Sequence, residues 1–196
     1  MNRIAILISG RGSNMDAILD RIQSGHLEAQ VAFVASDRPD AKGLEKAKSR
    51  AIPTEVLPYG DGKAKGEAAL QNLMDRHDVN WLVLAGFMRI LSEELVLRHQ
   101  GRIVNIHPAL LPSFPGAHGI EDAWDFGVKV TGVTVHLVDH LVDHGEILAQ
   151  LPVRIKQDDD LESLERRIHR AEHRLYWRTL RSLFSGELKG RKEGSK

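Results

Sequence analysis

Ile4 to Ile8 is an unbroken aliphatic run, and Ser9-Gly10-Arg11-Gly12-Ser13-Asn14 follows directly, before Met15, Ile18, Leu19 and Ile22 recur at helical spacing. A run that is apolar at every position suits a parallel strand buried on both faces. The order is therefore strand, glycine turn, helix, the opening unit of an α/β sheet. Glycines allow a sharp turn and a close approach of the backbone to a ligand. The first N–H groups of the following helix, with its dipole, favour a phosphate. Gly-x-Gly-Ser-Asn lacks both the third glycine of a dinucleotide fingerprint and the Gly-Lys-Ser/Thr ending of a P-loop. A phosphate cradle and a plain connecting turn both remain open.

The alternation continues. Strands are expected at Val31 to Ala35, Thr54 to Leu57 and Trp81 to Ala85, and helices at Gly43 to Arg50 and Lys63 to His77, the latter with Ala69, Leu70, Leu73 and Met74 as its apolar stripe. The turn Ser36-Asp37-Arg38-Pro39-Asp40 places an acid where a nicotinamide site keeps its ribose ligand, a role we do not assign to it. Gly86 to Leu91 leaves the fourth strand and leads to a helix capped by Ser92, with Glu93 and Glu94 in its first turn. Its apolar residues can line a pocket for a flat heterocycle or fold back on the core. Together these elements predict an α/β fold: a doubly wound, mostly parallel (mixed) sheet with helices on both faces and ligands at the carboxyl edge of its strands.

A short strand from Arg102 to Ile106 runs into Asn105-Ile106-His107-Pro108, and Pro108 ends the ladder. Residues two apart share a strand face, so Asn105 and His107 project together while Val104 and Ile106 face the other way. An amide donor beside an imidazole can hold a developing oxyanion and manage a proton. Both side chains can equally be satisfied by loop backbone.

A short helix is expected over Ile120 to Phe126, a strand over Lys129 to Val138, and a following edge strand over Leu148 to Ile155, which contains Pro152. Between the strands lies a tandem Leu-Val-Asp-His. As a helix this stretch would stack His136, His140 and His144 as metal ligands, but the preceding strand argues for a loop and for no metal. Asp159 with Glu162 reads as a capping box for the last helix, whose inward face is Leu161, Leu164, Ile168, Ala171 and Leu175; Glu172 and His173 fall at its edge. The stretch 186–196 is polar and reads as a disordered tail after a single domain over 1–185.

Lys+Arg and Asp+Glu both number 27 in 196 residues, so no net field recruits nucleic acid or an anionic membrane. The absence of cysteine excludes disulfides, thiolate metal sites and a cysteine nucleophile. Met1 onward is too briefly apolar for a signal or spanning segment, so a cytoplasmic protein acting on small molecules is expected.

Taken together, Ile8-Ser9-Gly10-x-Gly12-Ser13-Asn14, Leu84-Ala85-Gly86-Phe87-Met88-Arg89-Ile90-Leu91, Asn105-Ile106-His107-Pro108-x-Leu110-Leu111-Pro112 and Asp143-x-Gly145-x-Ile147-Leu148 resemble the formyltransferase family. The glycine loop resembles the branch that formylates glycinamide ribonucleotide in purine synthesis. The chain is too short for the added domain of the transfer-RNA branch, and no regulatory domain of the deformylase kind precedes Met1.

The resemblance implies a formyltransferase-like, Rossmann-type fold. The implied reaction carries the formyl group of 10-formyltetrahydrofolate, a co-substrate, to the glycyl amine of 5-phosphoribosylglycinamide, without a metal, in a monomer or homodimer. Implied catalytic residues are Asn105, His107 and Asp143. The residues themselves support this chemistry, since a carboxylate beside the imidazole favours its cation at neutral pH. Asp143 is chosen over Asp139 because only Asp143 has the glycine two residues on. Gly12, Ser13, Asn14 and Glu172 resemble the ribonucleotide site, the N-terminal half binding this substrate and the C-terminal half the folate. Met88, Arg89, Ile90, Leu91, Asn105, Asp139, His140, Leu141 and Val142 resemble the folate pocket. Lys63 stands where the family has a folate-contacting arginine, with Lys65 close by; His140, His144 and Leu137 also depart from the usual pattern. Alternatives are a 10-formyltetrahydrofolate deformylase, a formyltransferase for another amine, and a folate- or nucleotide-binding protein without catalysis.

Overall fold

The computed structural model describes residues 1–188. Among the described residues, seven strands form one sheet: β1 (Arg3–Ile8), β2 (Gln30–Ser36), β3 (Thr54–Val56), β4 (Trp81–Leu84), β5 (Ile103–His107), β6 (Val130–Leu137) and β7 (Ile147–Arg154). The spatial order is β3-β2-β1-β4-β5-β6-β7. The first five are mutually parallel, while β6 and β7 run antiparallel to their neighbours, so the expected mixed sheet is present. The order reverses between β1 and β4, and the switch point opens a crevice beyond their carboxyl ends.

Helices cover both faces. Helices α1 (Ser13–Gln23), α2 (Lys42–Ser49), α5 (Gly119–Phe126) and α6 (Leu161–Phe184) pack on one side with Ile4, Ile6, Ile8, Val104 and Val133. Helices α3 (Lys63–Arg76) and α4 (Glu93–Arg98) pack on the other with Ala5, Leu7, Leu82 and Ile103. The continuous apolar run of β1 is thus explained: alternate residues enter different cores, and all of Ile4 to Ile8 are fully buried. Tyr176 of α6 reaches between β4 and β5, its hydroxyl 2.9 Å from the Leu84 carbonyl and 3.0 Å from that of Val104.

The last helix starts differently from expectation. Its cap is Asp160, whose Oδ1 accepts the Ser163 N–H at 2.7 Å while Ser163 Oγ accepts the Asp160 N–H at 3.1 Å, closing the capping box one residue later than Asp159 with Glu162 would. Asp159 instead pairs with Arg167 and accepts the Lys156 N–H at 2.7 Å. Of the expected tail, residues 186–188 turn back on the helix end, with the Leu188 N–H donating to the Ser182 carbonyl at 2.9 Å. Residues 189–196 lie outside the described residues. Among the described residues no helix is long and apolar enough to cross a membrane.

Candidate active site

The antiparallel register sets Asn105 opposite His136 and His107 opposite Thr134, so these four side chains share one face of the sheet. Asn105 Nδ2 lies 3.2 Å from His136 Nε2, and His136 Nδ1 lies 2.9 Å from the Leu137 carbonyl. The carbonyl can only accept, so Nδ1 carries a proton, while Nε2 stands within hydrogen-bond reach of the Asn105 amide and also faces Asp143. His136 therefore orients Asn105. Periodicity within one strand gave no sign of this; only the pairing of β5 with β6 reveals it.

The loop after β6 folds back over this face and delivers Asp143, held at φ 51°. Its Oδ2 is 3.4 Å from His107 Nδ1 and accepts the Gly116 N–H at 2.8 Å; its Oδ1 is 3.7 Å from His136 Nε2. Gly145 lets the loop close, because a Cβ there would stand 1.8 Å from the Leu137 carbonyl oxygen. Hence the glycine of Asp-x-Gly. Burial works against the Asp143 carboxylate, but His136, the Gly116 N–H and His107 outweigh it and hold its pKa below the usual range.

His107 is buried, with Nε2 2.7 Å from the Phe114 carbonyl. Burial pushes its pKa down, and although Asp143, the Phe114 carbonyl and Glu172 pull upward, the net direction is below the ordinary imidazole value. The expected carboxylate, Asp143, is in place beside His107 and raises its pKa, while burial of the ring acts the other way and more strongly.

Gly12 (φ 69°) turns the chain into α1, whose first turn no side chain caps, with Ser13 and Asn14 at its start. Asn14 is buried and, among the described residues, its Oδ1 has no hydrogen-bond partner. The helix start thus offers a backbone anion site. Glu172, expected at an edge, is buried on α6, and its Oε2 takes a hydrogen bond from His169 Nδ1 at 2.8 Å.

In the loop after β4, Phe87 and Leu91 are buried while Met88 and Ile90 are 61% and 65% exposed. Arg89 turns toward Asp37, its Nε 2.6 Å from Oδ2. On the loop after β6, His140 is exposed and Leu141 and Val142 are about half exposed; Asp139 accepts the Leu141 N–H at 2.9 Å and pairs with exposed His144 at 2.8 Å. The two loops share an apolar base, since Val138 packs against the cluster that contains Phe87 and Leu91. Lys63 opens α3 and lines a groove of about 560 Å³ with Glu67, Ser92 and Arg98, whereas Lys65 pairs with Asp61. Among the described residues no group of three or more His, Asp or Glu is arranged to hold a metal ion.

Residues 2–180 match the family described as formyl transferase. The chain is 39% identical over 195 residues to phosphoribosylglycinamide formyltransferase of Bacillus subtilis, covering 98% of this chain and all of that protein. It is 39% identical to the human trifunctional purine biosynthetic protein adenosine-3, matching 94% of this chain but spanning 18% of that protein. A crystal structure of phosphoribosylglycinamide formyltransferase from Bacillus halodurans superposes with a TM-score of 0.91 at 42% identity, covering 95% of this chain and 97% of that one. A formyltetrahydrofolate deformylase from Pseudomonas syringae superposes with a TM-score of 0.91 at 28% identity, covering 97% of this chain and 64% of that one.

Proposed function

Since the chain belongs to the formyl transferase family, we propose that it transfers the formyl group of 10-formyltetrahydrofolate to the glycyl amine of 5-phosphoribosylglycinamide, in purine biosynthesis. The observation that carries this reading is the convergence of Asn105, His107, His136 and Asp143 on one sheet face. Residues 1–185 act as one domain, in the cytoplasm, on two small molecules.

The uncapped first turn of α1, with Gly12, Ser13 and Asn14, receives the ribonucleotide phosphate, and Glu172 holds the ribose hydroxyls. Met88, Ile90, Leu141 and Val142 supply apolar contact to the folate ring and main-chain groups of both loops orient it, with Lys63 beside its acidic end. The amine nitrogen attacks the formyl carbon, and the carbonyl π pair moves to oxygen. Asn105, its amide set by His136, donates to that oxyanion, and His107 Nε2–H donates once the Phe114 carbonyl yields it. Asp143 takes the proton from the attacking amine, directly or through one water, and returns it to the leaving folate nitrogen as the C–N bond breaks. Formylated ribonucleotide and tetrahydrofolate result, with no covalent enzyme intermediate.

The test follows tetrahydrofolate and the formyl group with and without the ribonucleotide, in the unaltered protein, His107→Ala and Asp143→Asn. Formyl on the ribonucleotide, lost in both variants, supports the proposal. Formate release independent of the ribonucleotide would establish the second reading, a deformylase, which the likeness to the Pseudomonas syringae enzyme favours.

A further inference from the structure

Asp37 is a buried carboxylate that no step above uses, at the carboxyl end of β2 beside the switch-point crevice. This crevice, about 390 Å³, is lined by Ser9, Gly10, Asp37, Arg38, Met88 and Arg89 among others. An acid at this place in a dinucleotide fold would hold a ribose. Here both its oxygens are occupied by the protein. Ser9 Oγ–H donates to Oδ1 at 2.5 Å, and Arg89 Nε–H donates to Oδ2 at 2.6 Å.

Ser9 continues the connection. Its Oγ also accepts the Met88 N–H at 2.8 Å, and its own N–H donates to the Gly86 carbonyl at 2.9 Å. The Arg89 guanidinium lies over the Tyr59 ring, 5.6 Å from its centroid, and Tyr59 packs edge-on to Phe87 at 5.7 Å. Within Phe87 to Leu91, Phe87 and Leu91 are buried, Arg89 is half exposed but tied through its guanidinium to buried Asp37, and Met88 and Ile90 stand in solvent. Two large apolar side chains exposed two residues apart gain by burial, so an unfastened loop would fold them down.

We propose that Asp37 is a positioning residue for the pterin-bearing co-substrate. Through Ser9 and Arg89 it fixes the loop after β4 with Met88 and Ile90 presented to a flat apolar ring. Arg89 serves this loop from behind, through its side chain, instead of clasping the ligand. The inference rests on the folate reading of Met88 to Leu91 given above.

The test uses the full chain with Asp37→Asn and Ser9→Ala, alone and combined, checked for folding by thermal melting. KM for each substrate, kcat, and the dissociation constant of tetrahydrofolate by calorimetry are measured. Expected is a rise of about fivefold or more in the 10-formyltetrahydrofolate KM and in the tetrahydrofolate dissociation constant, with the ribonucleotide KM within about twofold. The double variant should resemble the single ones, because both break one network. A fall in kcat alone, an equal rise in both KM values, or no change would overturn the proposal. If Asp37→Asn does not fold, Ser9→Ala decides by the same split. Should the unaltered protein fail to transfer formyl, the proposed function fails, and the tetrahydrofolate arm still decides the role of Asp37.

Discussion

Gly12 and Gly43 approach backbone to backbone: a Cβ on Gly12 would lie 3.0 Å from the Gly43 Cα, and one on Gly43 would lie 3.2 Å from the Gly12 Cα. The Gly43 N–H also donates to the Gly10 carbonyl at 3.0 Å, so the start of α2 braces the turn before α1. In Gly43→Ala the new methyl would also stand 2.4 Å from Ile8 Cδ1, which can swing aside, and 3.2 Å from the Gly10 oxygen, which cannot without moving the turn. Gly43→Ala should therefore destabilise the protein by about 1–3 kcal/mol, as overpacking does. Steady-state kinetics should show a ribonucleotide KM raised several-fold and a folate KM unchanged, and equal changes in both would remove the link between this contact and the phosphate turn.

Asp143 meets His107 and His136 through different oxygens, and the loop that carries it is set by Gly145. Asp143→Asn keeps the shape and removes the charge and the proton acceptor. We expect kcat to drop by about 10²–10⁴ with both KM values little altered, the size usual for losing a positioned acid–base group. Nitrogen-detected NMR should also show the His107 pKa falling further, because Asp143 is one of the groups now raising it. A variant retaining near-normal kcat would remove Asp143 from the proton path.

His107 makes folding pH-dependent. Its folded pKa lies below the unfolded value of about 6.5, so its neutral form is the one that the fold accommodates. Stability from this group is fully present above the unfolded pKa and is lost as pH falls through the folded pKa. Replacing it with an uncharged group removes that slope. Chemical denaturation across pH 7 to pH 5 should show the unaltered protein losing stability relative to His107→Asn; parallel curves would contradict the burial argument.

The strands were legible because burial on both faces leaves no polar position in Ile4 to Ile8, and a helix cannot use such a run in so short a span. Asp143 was separable from Asp139 by one glycine, whose need is the contact with Leu137. What stayed hidden depended on pairing across the chain. His136 touches Asn105 only because β6 runs antiparallel to β5 in one register, and Asp37 meets Ser9 and Arg89 only through three neighbouring strand ends. The pull of burial on His107 was hidden for a related reason: the carboxylate can be read from sequence, but the depth of burial cannot. The cap of α6 falls one residue later than expected because Asp159 with Glu162 matches the usual capping-box pattern, whereas the fold pairs Asp160 with Ser163 instead.

His169, on α6, supplies a pH dependence opposite to that of His107 on β5. Its Nδ1 donates to Glu172 at 2.8 Å, and this bond, opposed by burial and aided by the charges of Glu172 and Glu165, raises its pKa above the ordinary value; Arg11 works against it. A raised folded pKa means stability that is fully present below the unfolded pKa and lost as pH rises through the folded pKa. The side chain is about half exposed, so solvent screens the pair and the effect should be modest. His169→Gln should lower the melting temperature at pH 6, with the difference closing above the folded pKa, whereas a pH-independent difference would mean that packing, not charge, is what His169 contributes. Because Glu172 is the acid assigned to the ribose, the same variant should raise the ribonucleotide KM more at pH 6 than at pH 8, with the folate KM as the internal control.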